Sequence, residues 1–358
     1  MFKTTMLDEA DMPIRSTNAP GSLVPRNVGQ HLNLAPVSFL LLVVLAAALL
    51  AACQTGASTV RVNRDGHVGE SKVQPVTEIP FTFDRNQAIF EVWMNGHGPF
   101  NMFLDTGGNP SAVDLAAART AAIPVDTSAV GEAAGAGGEL VPIYAATISG
   151  LEFGGAHFGD VQAVALDLGH VSNRLERSLH GVLGYSFLAG KIVQIDYPER
   201  VIRIFADSAT MREEELGFTM PLRLRPGGTI PLIEAVSVNG LAVEVTLDTG
   251  SSLALELYPW AVEELGLAGE FARAEASSVV GARGEESIRQ GRVESVRIGP
   301  FELGQQDIVF TQKERRRPDQ EEGNVGNALL KHFVVTLDYV NGRIGLQTKA
   351  HGSPARPR

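Results

Sequence analysis

An internal repeat constrains the fold of this 358-residue chain more than any other feature of its sequence. Four motifs of the first half, VWMNG, FNMFLDTG, GVLG and IDY, begin at residues 92, 100, 181 and 195. The second half repeats them in order as VSVNG, VEVTLDTG, GNVG and LDY, beginning at residues 236, 243, 323 and 337. Asp105 and Asp248 are 143 residues apart, and the last two motifs recur after 142 residues. Offsets between matching motifs that agree to within one residue indicate two copies of one fold, at residues 78–205 and 228–348.

Each copy opens with two short β runs that meet at an Asn-Gly pair. This dipeptide accepts the positive φ angles of a tight turn, so a hairpin is predicted in each copy. In the second copy, apolar residues at 243, 245 and 247 alternate with Glu244 and Thr246. That period is typical of a strand with one buried face and excludes a helix. The second run of each hairpin therefore ends at its aspartate.

Helices are predicted only as short segments after each Asp-Thr-Gly motif. Residues 259–266 carry proline near the start and glycine past the end, and residues 115–122 stop before Pro124. The rest of each copy consists of short β runs, with hairpin turns predicted at residues 148–151 and 298–301. Residues 206–227 are interpreted as the connection between the copies. We expect an all-β monomer, an internal pseudo-dimer of two lobes related by a pseudo-twofold axis.

Each residue of an Asp-Thr-Gly motif at the end of a buried strand has its own structural role. Glycine permits a tight turn, threonine can form a hydrogen bond across an interface, and the aspartate points into a cleft. The candidate supporting residues are thus Thr106, Gly107, Thr249 and Gly250. One such motif is weak evidence, because Asp and Gly are common in surface turns, but two at matching positions of a repeat are strong evidence.

Packing about a pseudo-twofold axis would bring Asp105 and Asp248 face to face. Two carboxylates a few ångströms apart share one proton, so one acts as a base and the other as an acid. This pair can split an amide with a bound water and needs no metal or covalent nucleophile. The predicted catalytic residues are Asp105 and Asp248, without cofactor or metal, and the predicted pH profile of activity is bell-shaped.

These motifs resemble those of the pepsin- and retropepsin-like aspartic peptidases, in particular bacterial retropepsin-like proteins with two copies per chain. The resemblance covers residues 78–348 and is carried by the two Asp-Thr-Gly turns, VLG at 182–184 and VG at 325–326. It implies acid-protease-like lobes in which the downstream segments run beside the catalytic turns. It also implies a cross-lobe grip by Thr106 and Thr249, and an extended peptide or protein substrate with apolar side chains flanking the cleaved bond.

Three positions depart from the pattern of that family. Gly108 stands where Ser or Ala is usual, so a side-chain hydrogen bond to Asp105 is expected to be missing. Asn324 replaces an apolar residue and is expected to loosen the packing of its lobe. The glycine-rich residues 135–138 are either a mobile flap tip over the cleft or a plain linker.

The N-terminal part of the chain indicates export. Residues 37–52 are an uncharged run rich in Leu, Val and Ala, and LAAC at 50–53 resembles the bacterial lipobox. We expect a signal sequence at residues 1–52, with Met12 as an alternative start, then a lipidated Cys53 that begins a flexible tether at residues 53–77. The alternative is a short uncleaved transmembrane anchor. The expected location is the bacterial cell envelope, facing the periplasm and held to the membrane by lipid, with a C-terminal tail at residues 349–358.

Composition excludes several other classes of protein. The net charge of −11 would repel a phosphate backbone, so nucleic acid is not an expected partner. Cys53 is the single cysteine, which rules out an internal disulfide and a multi-thiolate metal site. The sequence also lacks His-Glu-x-x-His, Gly-x-Ser-x-Gly, Ser-x-x-Lys and the phosphate-binding Gly-x-x-x-x-Gly-Lys.

Two other functions remain open at this point. One is a non-catalytic envelope lipoprotein that binds extended peptides in the cleft between its lobes. The other is a structural tether whose Asp-Thr-Gly turns merely end strands. Retention of both aspartates in both turns favours the peptidase, because a binding protein would not require them.

Overall fold

The computed structural model describes residues 74–349 apart from 133–140, 208, 210, 226–227, 282–283 and 312–320. Cys53, the expected signal sequence and nearly all of the expected tether lie outside the described residues. So do the glycine-rich residues 135–138 and residues 350–358. None of the helices in the described part combines the length and the apolar character needed to cross a membrane.

The described residues form short strands with a few helices of one or two turns. The strands of the first half are β1 Thr77–Pro80, β2 Thr82–Asp84, β3 Gln87–Met94, β4 His97–Leu104, β5 Ser111–Asp114, β6 Val125–Glu132, β7 Pro142–Phe153, β8 Ala156–Leu166, β9 Gly181–Leu183, β10 Ile192–Asp196 and β11 Val201–Phe205. Those of the second half are β12 Phe218–Pro221, β13 Arg223–Leu224, β14 Pro231–Val238, β15 Leu241–Leu247, β16 Leu255–Leu257, β17 Glu275–Gly281, β18 Gly284–Val293, β19 Val296–Ile298, β20 Phe301–Glu302, β21 Gln306–Thr311, β22 Gly323–Val325, β23 Val334–Asp338 and β24 Arg343–Gln347. The helices are α1 Leu115–Thr120, α2 Gly169–Leu175, α3 Tyr185–Leu188, α4 Glu213–Leu216, α5 Pro259–Glu264, α6 Ala268–Arg273 and α7 Asn327–Leu330.

Three sheets organise these strands. The first-lobe sheet has the order β2-β3-β4-β9-β5-β8-β7-β6, and the second-lobe sheet has the order β17-β18-β21-β16-β22-β15-β14-β19-β20, with β13 paired to β14. A central sheet, β1-β11-β10-β23-β24-β12, takes strands from both halves of the chain. The all-β class with two repeated lobes, predicted from the sequence, is therefore confirmed.

The central sheet contains the twofold axis that relates the two copies. Strands β10 and β23 are matching segments of the two copies and pair antiparallel to each other. Gln194 lies opposite Thr336, its own counterpart 142 residues later, and donates a hydrogen bond of 3.0 Å to its hydroxyl. Counterparts that pair with each other in an antiparallel ladder must lie on a local twofold axis. That axis passes between Gln194 and Thr336.

The two Asn-Gly pairs form hairpin turns, as predicted. Asn95 and Gly96 have φ angles of 50° and 72° between β3 and β4, and Asn239 and Gly240 have 49° and 84° between β14 and β15. These positive angles match the right-handed twist of the strands on either side. The predicted short helices after each Asp-Thr-Gly motif are present as α1 and α5.

Other local predictions had mixed outcomes. Gly299 is at the turn between β19 and β20, where Ile298 pairs with Phe301. The predicted hairpin turn at residues 148–151 is wrong, because β7 runs through this segment with a register shift between Ile148 and Leu151. Beyond the shift β7 still pairs with β8, and its Glu152 also pairs with Trp93 of β3. Residues 206–227, interpreted as a connection, include α4, β12 and β13, so part of this segment belongs to the central sheet.

Candidate active site

Each Asp-Thr-Gly turn begins where a lobe's inner strand ends. β4 runs parallel to β9, and the Asp105 N–H donates to the Leu183 oxygen at 3.0 Å. β15 likewise runs parallel to β22, and the Asp248 N–H donates to the Val325 oxygen at 2.9 Å. The glycine after each partner strand is needed for this close approach: a Cβ on Gly184 would lie 2.5 Å from the Gly108 oxygen. The two turns are therefore held by equivalent backbone contacts with the neighbouring strand of each lobe.

The two turns are bound to each other through their threonines. The Thr106 hydroxyl donates to the Leu247 oxygen at 2.6 Å and accepts from the Thr249 N–H at 3.0 Å. The Thr249 hydroxyl donates to the Leu104 oxygen at 2.8 Å and accepts from the Thr106 N–H at 3.1 Å. These four buried hydrogen bonds join the lobes beneath the aspartates.

The glycines bring each turn against the opposite aspartate. A Cβ on Gly107 would lie 2.7 Å from the Asp248 carboxyl carbon, and one on Gly250 would lie 2.5 Å from that of Asp105. Real Cβ atoms do not approach other atoms this closely, so only glycine fits. Asp105 and Asp248 line the same cavity and lie close enough for the Asp248 carboxylate to raise the pKa of Asp105.

The two carboxyl groups differ in their surroundings. Burial and the adjacent Asp248 carboxylate raise the pKa of Asp105 well above its usual value of 3.8. Burial also raises the pKa of Asp248, but hydrogen bonds from the Gly250 N–H and from Asn324 counteract this rise. The raised pKa of Asp105 favours its protonated form, whereas the hydrogen-bond donors around Asp248 favour its ionised form.

The cavity over the pair has a volume of about 800 Å³ and two unlike walls. The first lobe contributes mainly apolar side chains, namely Phe103, Val164, Leu166, Leu168, Val171 and Leu175. The second lobe contributes mainly polar and acidic ones, including Thr246, Ser252, Glu256, Glu286 and Glu321. Ile143 of β7 and Val279 of β17 also line the cavity, so a strand from a long hairpin of each lobe borders it.

The structure shows the surroundings of Gly108 and Asn324, two of the positions that depart from the family pattern. Gly108 leaves no room for a side chain in this arrangement, since a Cβ there would lie 2.8 Å from the Asp105 Oδ2. Asn324 was expected to loosen the packing of its lobe, and that expectation is wrong. It is buried between β15 and β16, with its amide bound to Thr246 and Asp248.

Sequence reasoning missed a buried polar cluster behind the second turn. The Asn327 amide donates to the Thr249 oxygen at 2.8 Å and to the Gln87 side-chain oxygen at 3.3 Å. Gln87 donates to the Gly250 oxygen at 2.7 Å, and the Tyr197 hydroxyl donates to Asn327. The available signal was a mismatch between the copies, because Tyr185 occupies the place of Asn327 in the first lobe.

The described residues contain no group of three or more His, Cys, Asp or Glu side chains arranged to hold a metal ion. Two β lobes, each delivering an Asp-Thr-Gly turn to a common cleft, define a two-lobed protein of acid-protease architecture. A family model described as aspartyl protease matches the chain twice, over residues 90–187 and 235–329. The matches cover more than half of the chain, which belongs to this aspartyl protease family. Comparison with curated proteins gave no match.

Proposed function

We propose that the protein is an aspartic endopeptidase that hydrolyses peptide bonds with a water activated between Asp105 and Asp248. The observation that carries this proposal is the closeness of the two carboxyl groups in one cavity, between turns that Thr106 and Thr249 bind to each other. A rigid pair of acids that shares one proton supplies a base and an acid at a single point. The family match supports a protease-like function.

The proposed reaction needs only the pair, a water and the peptide. Asp248 takes a proton from the water as its oxygen attacks the carbonyl carbon, and Asp105 gives its proton to the carbonyl oxygen. In the tetrahedral intermediate, Asp248 then protonates the leaving nitrogen while Asp105 takes a hydroxyl proton. The C–N bond breaks, a carboxylic acid and an amine leave, and both aspartates return to their starting states.

The shape of the cleft supports an extended peptide as substrate. The apolar wall of the first lobe would bury a large hydrophobic side chain next to the cleaved bond. The polar wall of the second lobe offers hydrogen-bonding groups to the other side of the chain. These unlike walls predict that the two sides of the cleaved bond are recognised differently.

We also propose that the protein is exported and anchored to the bacterial envelope membrane through a lipid on Cys53, facing the periplasm. The support comes from the sequence alone: an apolar run at residues 37–52 followed by LAAC. Metabolic labelling with a radioactive fatty acid tests this. Label should be present in the wild-type chain and absent from Cys53→Ala, and label retained by the variant would contradict the lipid anchor.

The catalytic proposal is tested with Asp105→Asn and Asp248→Asn in the full chain. Cleavage of a denatured protein should fall by about a thousandfold or more in either variant, because each removes one proton carrier. Asp207→Asn is the control, since Asp207 is exposed and does not line the cavity. A wild-type chain that binds peptides without cleaving them, with affinity unchanged in both variants, would show a peptide-binding lipoprotein instead.

A further inference from the structure

The outer side of each aspartate is lined differently in the two lobes. In the second lobe, the strands beside Asp248 carry Thr246 and Asn324. At the matching positions of the first lobe, the strands beside Asp105 carry Phe103 and Val182. The repeat thus places a polar pair against one carboxyl group and an apolar pair against the other.

The amide of Asn324 is oriented to donate to Asp248. The Thr246 hydroxyl donates to the Asn324 Oδ1 at 2.9 Å, which leaves the Nδ2 facing the Asp248 Oδ2 at 3.2 Å. Asn324 is 7% exposed, so its amide contacts protein and hardly any solvent. An amide donor to a carboxylate stabilises the ionised form over the protonated form.

The backbone does not account for this difference, because each turn offers two N–H groups to its aspartate. The Asp248 Oδ1 accepts from the Gly250 N–H at 2.8 Å and from the Ser251 N–H at 3.2 Å. The Asp105 Oδ1 accepts from the Gly107 N–H at 2.8 Å, and the Gly108 N–H also lowers the pKa of Asp105. The Phe103 and Val182 side chains belong to an apolar cluster, which offers no hydrogen-bond donor to Asp105.

Other ionisable groups also lie near the pair. Tyr197 and Tyr339 lie nearby, and burial raises the pKa of both phenols, so they remain neutral wherever the aspartates titrate. Arg174, Arg225 and three glutamates, Glu256, Glu286 and Glu321, line the same cavity. Arg225 is paired with Glu321 at 3.1 Å.

We infer that Asn324 is a positioning residue that acts through Asp248: it holds the negative charge on Asp248 and leaves the shared proton on Asp105. The resting protonation states are therefore assigned by the lobes: each turnover begins with Asp248 ionised and Asp105 protonated. This inference rests on the proposed peptidase function for its catalytic meaning, but the assignment of the proton is a property of the folded protein itself.

The test is a titration of the two carboxyl groups by carbon-13 NMR, with the resonances assigned from Asp105→Asn and Asp248→Asn. Asn324→Val copies the first-lobe residue and removes the donor. The lower apparent pKa of the pair should rise by about one pH unit, the effect of one hydrogen bond to a charged group. Asn101→Val is the control, because Asn101 donates to the Ser178 oxygen and does not line the cavity. An unchanged titration in Asn324→Val would overturn the inference.

The exchange variant Val182→Asn with Asn324→Val gives the sharpest outcome. It moves the amide to the other lobe, so Asp105 should now titrate first. If Asn324→Val fails to fold, Thr246→Val serves in its place, since it keeps Asn324 but removes the hydroxyl that orients the amide. It should shift the same pKa in the same direction by a smaller amount, and no shift would overturn the inference.

Kinetics provide the second readout. In Asn324→Val the acidic limb of the kcat/KM profile should move up by about one pH unit, with KM changed less than about twofold. A merely structural role would lower activity at every pH without moving the limb, which would contradict the inference. A wild-type chain without turnover would count against the proposed function only, since the NMR titration would still decide the role of Asn324.

Discussion

Thr106 and Thr249 are bound to each other's backbone across the lobe boundary. Each hydroxyl donates to the carbonyl oxygen two residues before the other threonine and accepts from the other's N–H, over distances of 2.6–3.1 Å. The arrangement is reciprocal because the two residues are counterparts in the repeat. It also means that either threonine holds both turns.

Thr106→Val should therefore destabilise the protein by about 2–4 kcal/mol, because it removes two buried hydrogen bonds and leaves an N–H and a carbonyl unpaired. Thr106→Ser retains the hydroxyl and should cost about 1 kcal/mol for the lost methyl group. Urea unfolding of the two variants measures the difference. Equal stability of Thr106→Val and Thr106→Ser would show that these hydrogen bonds do not hold the lobes.

Gly107→Ala should reduce cleavage by about a hundredfold or more, because the new Cβ would lie 2.7 Å from the Asp248 carboxyl and force the pair apart. Gly269→Ala is the matched control in exposed helix α6, where alanine is favoured over glycine by up to about 1 kcal/mol. Peptidase assays and thermal unfolding of both variants test this. Wild-type activity in Gly107→Ala would mean that the carboxyl groups need not be in contact.

Asp105→Asn should change how stability depends on pH. The folded pKa of Asp105 is raised above the usual 3.8, so the folded state binds more protons than the unfolded state between these two values. Stability from this group is present below pH 3.8 and decreases as pH rises to the folded pKa, by up to about 1.4 kcal/mol per pH unit.

The free energy of unfolding should therefore fall less steeply over this window in Asp105→Asn than in the wild type. Above the window, the variant should be more stable than the wild type, because its amide carries no charge to bury. Urea unfolding at a series of pH values measures this. Parallel curves for the two proteins would contradict the raised pKa.

Val164→Asp should lower kcat/KM for a peptide with leucine beside the cleaved bond by about ten- to a hundredfold, because it places a charge on the apolar wall. A peptide with serine at that position should be affected much less. Val340→Asp is the control, since Val340 is exposed and lies outside the cavity lining. An equal loss with both peptides would show that this wall does not select the substrate.

The internal repeat predicted the two-lobed fold, because the spacing of its motifs can be read from the sequence without knowing any tertiary contact. The Asn-Gly pairs predicted hairpins from backbone conformation alone, and both are present. Gly150 was misjudged because a glycine with positive φ suits a bend within a strand as well as a turn, and only the pairing of β7 with both β8 and β3 distinguishes the two.

Thr246 illustrates a second limit. Alternation along β15 predicted a buried face at Val243, Val245 and Leu247, and these three are buried. Thr246 faces the other way yet is also buried, because Asn324 of the neighbouring strand covers it. A period of two identifies the two faces of a strand, but it does not show what lies over the second face.

By itself, the sequence determined the duplication, the strand ends at which Asp105 and Asp248 lie, and the residue types that their turns require. These properties follow from spacing and from the conformational range of single residues. Only the tertiary structure decided that Asn324 faces Asp248 while Val182 occupies the matching place in the first lobe. The balance of charge in a buried pair depends on which donors surround each oxygen, and those donors come from strands far apart in the chain.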